Sequence, residues 1–139
     1  MRGAVNSRAI AVERSPQRCQ MIAENSAALG APGLEIVEGE VGAADLDGLP
    51  APDAIFIGGA ISQPGTIDRA WHYLKFGGIL VANAVTLEGQ SAMMAAQQTI
   101  GGELVRIDIA VSRPIGPMSA LEPRMSVLQW RATKQAVTP

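Results

Sequence analysis

The sequence holds one cysteine, Cys19, and one histidine, His72, in 139 residues. A lone cysteine forms no disulfide within the chain and no cysteine-rich zinc site, and without a second histidine no metal centre is expected. Charge of one sign is also missing. Eleven lysines and arginines stand against thirteen acidic residues, a net charge of −2 with no basic run. That balance gives little support to sequence-independent binding of nucleic acid or of an anionic membrane. No apolar run approaches the length of a membrane span, and the amino terminus shows no signal-peptide apolar core, so a cytoplasmic protein is expected. There is no G-x-G-x-x-G phosphate loop, no G-x-S-x-G elbow and no Ser-His-Asp arrangement.

What is present suits one soluble α/β domain spanning residues 1–139, 47% hydrophobic and 17% charged. The glycines and prolines are scattered between elements, with no linker and no internal repeat. The stretch "RAIAVERSP" reads as a strand, Ala9–Val12, followed by Glu13 and a helix. Ser15 suits the N-cap of that helix, Pro16 its first position and Gly30 its C-terminal cap. Cys19, Ile22, Ala23, Ser26 and Leu29 recur at helical spacing and predict its buried face. "LEIVEGE" predicts a strand, Leu34–Val37. "GAADLDGLPAP" predicts a short helix or turn, and "DAIFIGGA" a strand, Ala54–Ile57, running into Gly58-Gly59. A helix follows from about Gly65 to Phe76, with Ile67, Ala70, Trp71 and Leu74 inward. "ILVANAV" gives a strand, Ile79–Asn83, and Thr86 opens a helix ending at Gly101-Gly102, with Leu87, Ser91, Met94, Ala95 and Gln98 on its inner face. "ELVRIDIAVS" and "RMSVLQWRA" are two longer strands, separated by a loop without helical pattern, Arg113–Arg124.

Short strands that are apolar on both faces and alternate with helices predict a mostly parallel sheet covered by helices on both sides. The last two strands have too little chain between them for a crossover, so they should pair antiparallel.

In such sheets ligands lie beyond the carboxyl ends of the strands. Glu13, Glu40, Val41, Gly58, Gly59, Asn83 and Thr86 stand there. A carboxylate at position 13 can accept from both hydroxyls of a ribose, or be a turn residue or a partner for Arg14. Val41 can pack on an adenine face with Glu40 near the exocyclic amine, or begin a helix. Gly58 and Gly59 let backbone approach a ligand closely or take positive φ. Asn83 can bond a substrate carboxylate or carbonyl, or cap the helix at Thr86. Arg113 and Met118 lie in the last loop, where arginine suits a carboxylate-rich substrate, or a flexible tip. His72 reads as a surface residue and Cys19 as core.

The segments "AIAVE", "VEGE", "PDAIFIGGA", "LKFGGILVANAVTLE" and "RIDIAVSRPIG", in this order, resemble the cobalamin-pathway methyltransferases. Within them the resemblance is to the C-terminal, decarboxylating domains of precorrin-6Y C5,15-methyltransferases, and it covers about Arg8 to Arg131. It implies a Rossmann-like fold of seven strands, the last antiparallel, and S-adenosyl-L-methionine as cofactor. It implies methylation of a corrin precursor at C15 with loss of carbon dioxide from the ring C acetate. Glu13 then falls on the ribose acid, Val41 after Glu40 beside adenine, and Gly58 with them on the cofactor side. Gly59, Asn83, Thr86, Arg113 and Met118 fall on the substrate side. No catalytic residue is singled out, and relatives of this kind form tetramers, so a homo-oligomer is expected.

The resemblance also implies a first strand and a glycine-rich turn for which "MRGAVNS" offers no match. That strand would lie between those at Ala9–Val12 and Ala54–Ile57, and its loss leaves a gap of about 10 Å. The chain is therefore expected to be an amino-terminally shortened domain that binds S-adenosylmethionine poorly by itself. The rival reading is a non-catalytic remnant serving as an interaction module. A nicotinamide-dependent dehydrogenase fragment would share Glu13 but leaves the closing antiparallel pair and the glycine pair without a role.

Overall fold

The computed structural model describes residues 7–41 and 46–136. Readings of the six residues at the amino terminus, and of the first part of the helix or turn after Val41, lie outside the described residues. The chain divides into two compact units, Met1–Leu49 and Pro50–Pro139.

In the first unit β1 (Ile10–Glu13) pairs in parallel with β2 (Glu35–Glu38), connected through α1 (Pro16–Ala28). Both strands start one residue later than their apolar runs suggest. Register decides this: Ile10 lies opposite Glu35, Glu35 N donates to Ala9 O, and Arg8 grips the Glu35 carboxylate at 2.5 and 2.9 Å. That grip holds the Glu35 carboxyl below its ordinary range. Glu13 is thus the last residue of its strand. Ser15 caps α1, its side chain accepting from Arg18 N, with Pro16 at the first turn as expected. The inner face of α1 is thinner than its spacing suggests. Cys19, Ile22 and Ser26 are half-buried, Ala23 and Leu29 are exposed, and no α1 residue is buried.

After a turn in which Leu49 N donates to Leu46 O, the second unit begins. It has β3 (Ala54–Ile57), α2 (Thr66–Tyr73), β4 (Ile79–Ala84), α3 (Leu87–Ile100), β5 (Glu103–Ile107), β6 (Ala110–Ile115), β7 (Met118–Pro123) and β8 (Val127–Thr133). Four of these strands form one sheet in the order β3-β4-β8-β5. β3 and β4 are parallel, and β8 runs antiparallel to both β4 and β5. The expected pairing of the last long strands is found, with β8 inserted between β4 and β5.

Register places Ile57, Ala82, Trp130 and Leu104 in one row across this sheet, with Ile55, Leu80 and Ala132 beside them. This face carries the core, and Ile61, Ala70, Leu74 and Met93 join it from α2, α3 and the loop before α2. Both helices of this unit therefore cover the same face. Trp130 is fully buried, and its indole N–H donates to Gly101 O at 2.9 Å, so burial leaves no donor unmet.

Two helix readings change. α2 stops at Tyr73, because Leu74 turns extended to place its side chain in the core. In α3 the inward residues are Gly89, Met93, Ala96 and Ile100. Leu87, Ser91, Met94, Ala95 and Gln98 are exposed, Leu87 by 79%. The loop reading of Arg113–Arg124 is also corrected, since β6 and β7 form an antiparallel hairpin that turns at Gly116, φ +55°. Pro114 and Pro123 do not prevent this, because each strand of a two-stranded ribbon has an open edge, where proline costs no ladder bond. β5 and β6 are separate strands, parted at Asp108 and Ile109. There Asp108 bonds Ser126 and Arg106, which together hold its carboxyl below the usual range.

Candidate functional site

In the first unit the carboxyl ends of β1 and β2 carry Glu13, Glu40 and Val41. Glu13 Oε1 accepts from Ser15 N at 2.9 Å, while Oε2 lies 3.9 Å from Arg18. Its backbone oxygen takes bonds from Gly39 N and Cys19 Sγ. The alternative pairing with Arg14 is not found, because Arg14 pairs with Glu40 at 3.4 Å. The side chain of Glu13 is 20% exposed, a carboxylate held by Ser15 N through one oxygen, with no hydrogen bond on the other among the described residues. Beside it the Cys19 thiol is pushed up by burial and by the Glu38 and Glu13 charges, so it is a poor nucleophile.

In the second unit Gly58, Gly59, Asn83 and Thr86 line one cleft of about 370 Å³, with Ala60, Ser62 and Val127. Four residues chosen from strand ends are thus brought together. Neither Gly58 nor Gly59 takes positive φ. Instead Ala60 does, at +57°, a left-handed conformation that a side chain adopts only at some cost. Open space stands where a Cβ on Gly59 would go, so its backbone is accessible from the cleft. Ile61, buried among the core residues, anchors this loop. Thr86 caps α3 itself, accepting from Gly89 N at 3.1 Å, so Asn83 is not the cap. Asn83 Oδ1 accepts from Gln129 Nε2 at 3.0 Å across the β4–β8 ladder.

Arg113 and Met118 lie on the β6–β7 hairpin and do not line this cleft. Register puts Arg113, Ile115, Met118 and Glu122 on one face of the ribbon. Arg113 bonds Glu122 at 2.8 Å, and Arg124 approaches the same carboxylate at 3.6 Å. His72 is exposed on α2, edge-on to Tyr73. Sequence reasoning missed Ala60, Val127 and Gln129. Only the strand pairing reveals Gln129 as the partner of Asn83, and nothing in "GGAIS" marks the third residue as the left-handed one.

A model of the precorrin methyltransferase domain matches residues 1–134. The chain belongs to the precorrin methyltransferase domain family. The precorrin-6Y C(5,15)-methyltransferase [decarboxylating] of a Sinorhizobium species is 49% identical over 126 residues, 91% of this chain and 30% of that protein. The chain thus spans about a third of the length of that curated relative. The crystal structure of the C-terminal domain of precorrin-6Y C5,15-methyltransferase from Rhodobacter capsulatus superposes with a TM-score of 0.81 at 38% identity. That match covers 91% of this chain and 68% of the other. A SAM-dependent O-methyltransferase from Thermotoga maritima, at 18% identity and a TM-score of 0.68, covers 96% of this chain and 52% of its own. This last likeness shows the fold alone, the Rossmann-like fold of S-adenosylmethionine-dependent methyltransferases.

Proposed function

We propose that the chain is part of a methyltransferase domain that uses S-adenosyl-L-methionine to methylate a corrin precursor at C15. In the same reading, the ring C acetate loses its carboxyl group as carbon dioxide. The observation that carries this reading is the cleft at the ends of β3 and β4, where Gly58, Gly59, Asn83 and Thr86 meet in a chain of this family.

The residues present fit the adenosine half of the cofactor. Glu13 is an acceptor at a strand tip whose Oε2 has no hydrogen bond among the described residues, as a ribose hydroxyl requires. In this reading Glu40 and Val41, which follow β2, are the residues for an adenine edge and face, and Gly58 of the second unit is also a cofactor-side residue. For the methionyl half the sequence offers no G-x-G turn. When bound, the cofactor supplies a methyl group already activated on a sulfonium. The protein's part is to orient and to exclude water, which needs no acid–base dyad. Gly59 offers backbone, and Asn83 and Thr86 offer hydrogen bonds to the substrate. Arg113 and Met118 present a charged and an apolar contact from the hairpin. Self-association through the exposed Val111, Ile115 and Met118 on one face of that hairpin, and a cytoplasmic location, belong to the same reading. Among the described residues no helix is long and apolar enough to cross a membrane.

The test is label transfer. The chain, alone and with the residues its own reading frame encodes on either side, is incubated with methyl-labelled S-adenosylmethionine and a C5-methylated corrin precursor. Label in the corrin together with released carbon dioxide is the expected result for at least one form. Neither product from either form would overturn the proposal.

A further inference from the structure

We propose that Gln129 is a positioning residue that sets the polarity of the cleft. It holds the Asn83 amide so that a donor faces the ligand, and the ligand group received there is an acceptor, a carboxylate or carbonyl oxygen. The proposal deepens the reading above only in naming the ligand as a tetrapyrrole carboxylate; the polarity itself stands on geometry.

Antiparallel pairing of β4 with β8 sets Asn83 directly opposite Gln129. Gln129 Nε2 donates to Asn83 Oδ1 at 3.0 Å in a half-buried contact. A primary amide carries its oxygen and its NH₂ group on opposite arms, so turning the oxygen toward Gln129 turns the NH₂ donors away from it, although the oxygen keeps a second lone pair. Asn83 lines the cleft and Gln129 does not, so Gln129 acts through Asn83. Thr86 has the same bias. Its Oγ1 already accepts from Gly89 N at 3.1 Å, so one of its two lone pairs is taken while its proton is still to be given. Two neighbouring polar side chains of the cleft thus have an acceptor taken up by the protein's own N–H groups. A site that matches one hydrogen-bond polarity disfavours the opposite one, because the wrong ligand leaves groups unpaired; here Asn83 is half-buried and Thr86 exposed.

Two variants separate this from a merely structural pairing. In Gln129→Glu the ionised carboxylate can only accept, so the Asn83 amide must turn its NH₂ toward position 129 and its oxygen toward the cleft. In Gln129→Met the side chain keeps its length and loses the latch. The first readout needs no ligand: solvent exchange of the side-chain amide protons in ¹⁵N–¹H spectra of the full chain. Gln129 NH₂ should be protected in the native protein and Asn83 NH₂ in Gln129→Glu. The second readout is fluorescence titration with uroporphyrin as a carboxylate probe. Gln129→Glu should bind about tenfold more weakly or worse, and Gln129→Met by about threefold or less. If Gln129→Glu fails to fold, Asn83→Asp serves instead. It keeps one oxygen on Gln129, turns the other to the cleft, and should weaken the probe in the same way. Unchanged exchange of the Asn83 amide in Gln129→Glu, or native-like affinity for the probe, overturns the proposal. A native protein that binds no uroporphyrin would count against the tetrapyrrole reading, while amide exchange would still decide the latch.

Discussion

The Lys134 ammonium donates to the carbonyl oxygens of Trp71, His72 and Leu74 at 2.6, 3.2 and 2.8 Å, and lies 5.2 Å from the centre of the Phe76 ring. The last turn of α2 leaves carbonyls without helical partners, and a cation from the far end of the chain satisfies them. Lys134→Met keeps the stem and removes these bonds, and should lower stability by about 1–3 kcal/mol. In urea unfolding the midpoint should fall with the slope unchanged. Nothing local to "ATKQ" signals this role, because the partners lie some sixty residues away. The ends of apolar strands are different. Glu13, Asn83 and the glycine pair could be singled out because a run of apolar residues that stops at a polar one or at glycines marks a strand tip. Their partners were not legible. Arg18, in the first turn of α1, comes near Glu13, while Arg14 pairs with a residue that follows β2.

Among the elements, α3 is where sequence and structure part. Its composition carries two weakly apolar stripes, and either could face a sheet. Packing selects the one through Gly89, because the anchoring residue Ile61 must come close to the helix. A Cβ on Gly89 would stand 2.8 Å from Ile61 Cγ2 and 3.0 Å from Ala84 Cβ. Gly→Ala inside a helix ordinarily adds stability, by roughly 0.5–1 kcal/mol. Here the clash with a buried isoleucine should reverse the sign and leave Gly89→Ala less stable by about 1–2 kcal/mol, read as a lower melting temperature. A variant more stable than the native protein would show that the Ile61 loop yields freely. The β6–β7 hairpin was hidden for another reason. The segment has no helical pattern and so reads as a loop, and a ribbon with every residue exposed has no apolar alternation toward a core to betray it.

For the whole molecule, buried side chains are unevenly distributed. Trp130, Leu74, Leu80 and Met93 are enclosed in the Pro50–Pro139 unit, and all the buried apolar residues among those described lie there. The Met1–Leu49 unit rests on a two-stranded sheet and a helix without a buried residue, and two strands alone are marginal in water. Native-state hydrogen exchange should therefore show β1 and β2 amides opening at much lower free energy than those of β4 and β8. Equal protection in the two sets would refute this. Short apolar strands, capped helices and the glycines that punctuate them are local chemistry, so the sequence by itself determined the alternation of elements, the antiparallel closing strands and the residues at the strand tips. Insertion of β8 between β4 and β5, the choice of α3 face, the hairpin and the Asn83–Gln129 bond depend on which distant segments hydrogen-bond and exclude water together. Those contacts exist only once the chain is folded, and tertiary structure alone decided them.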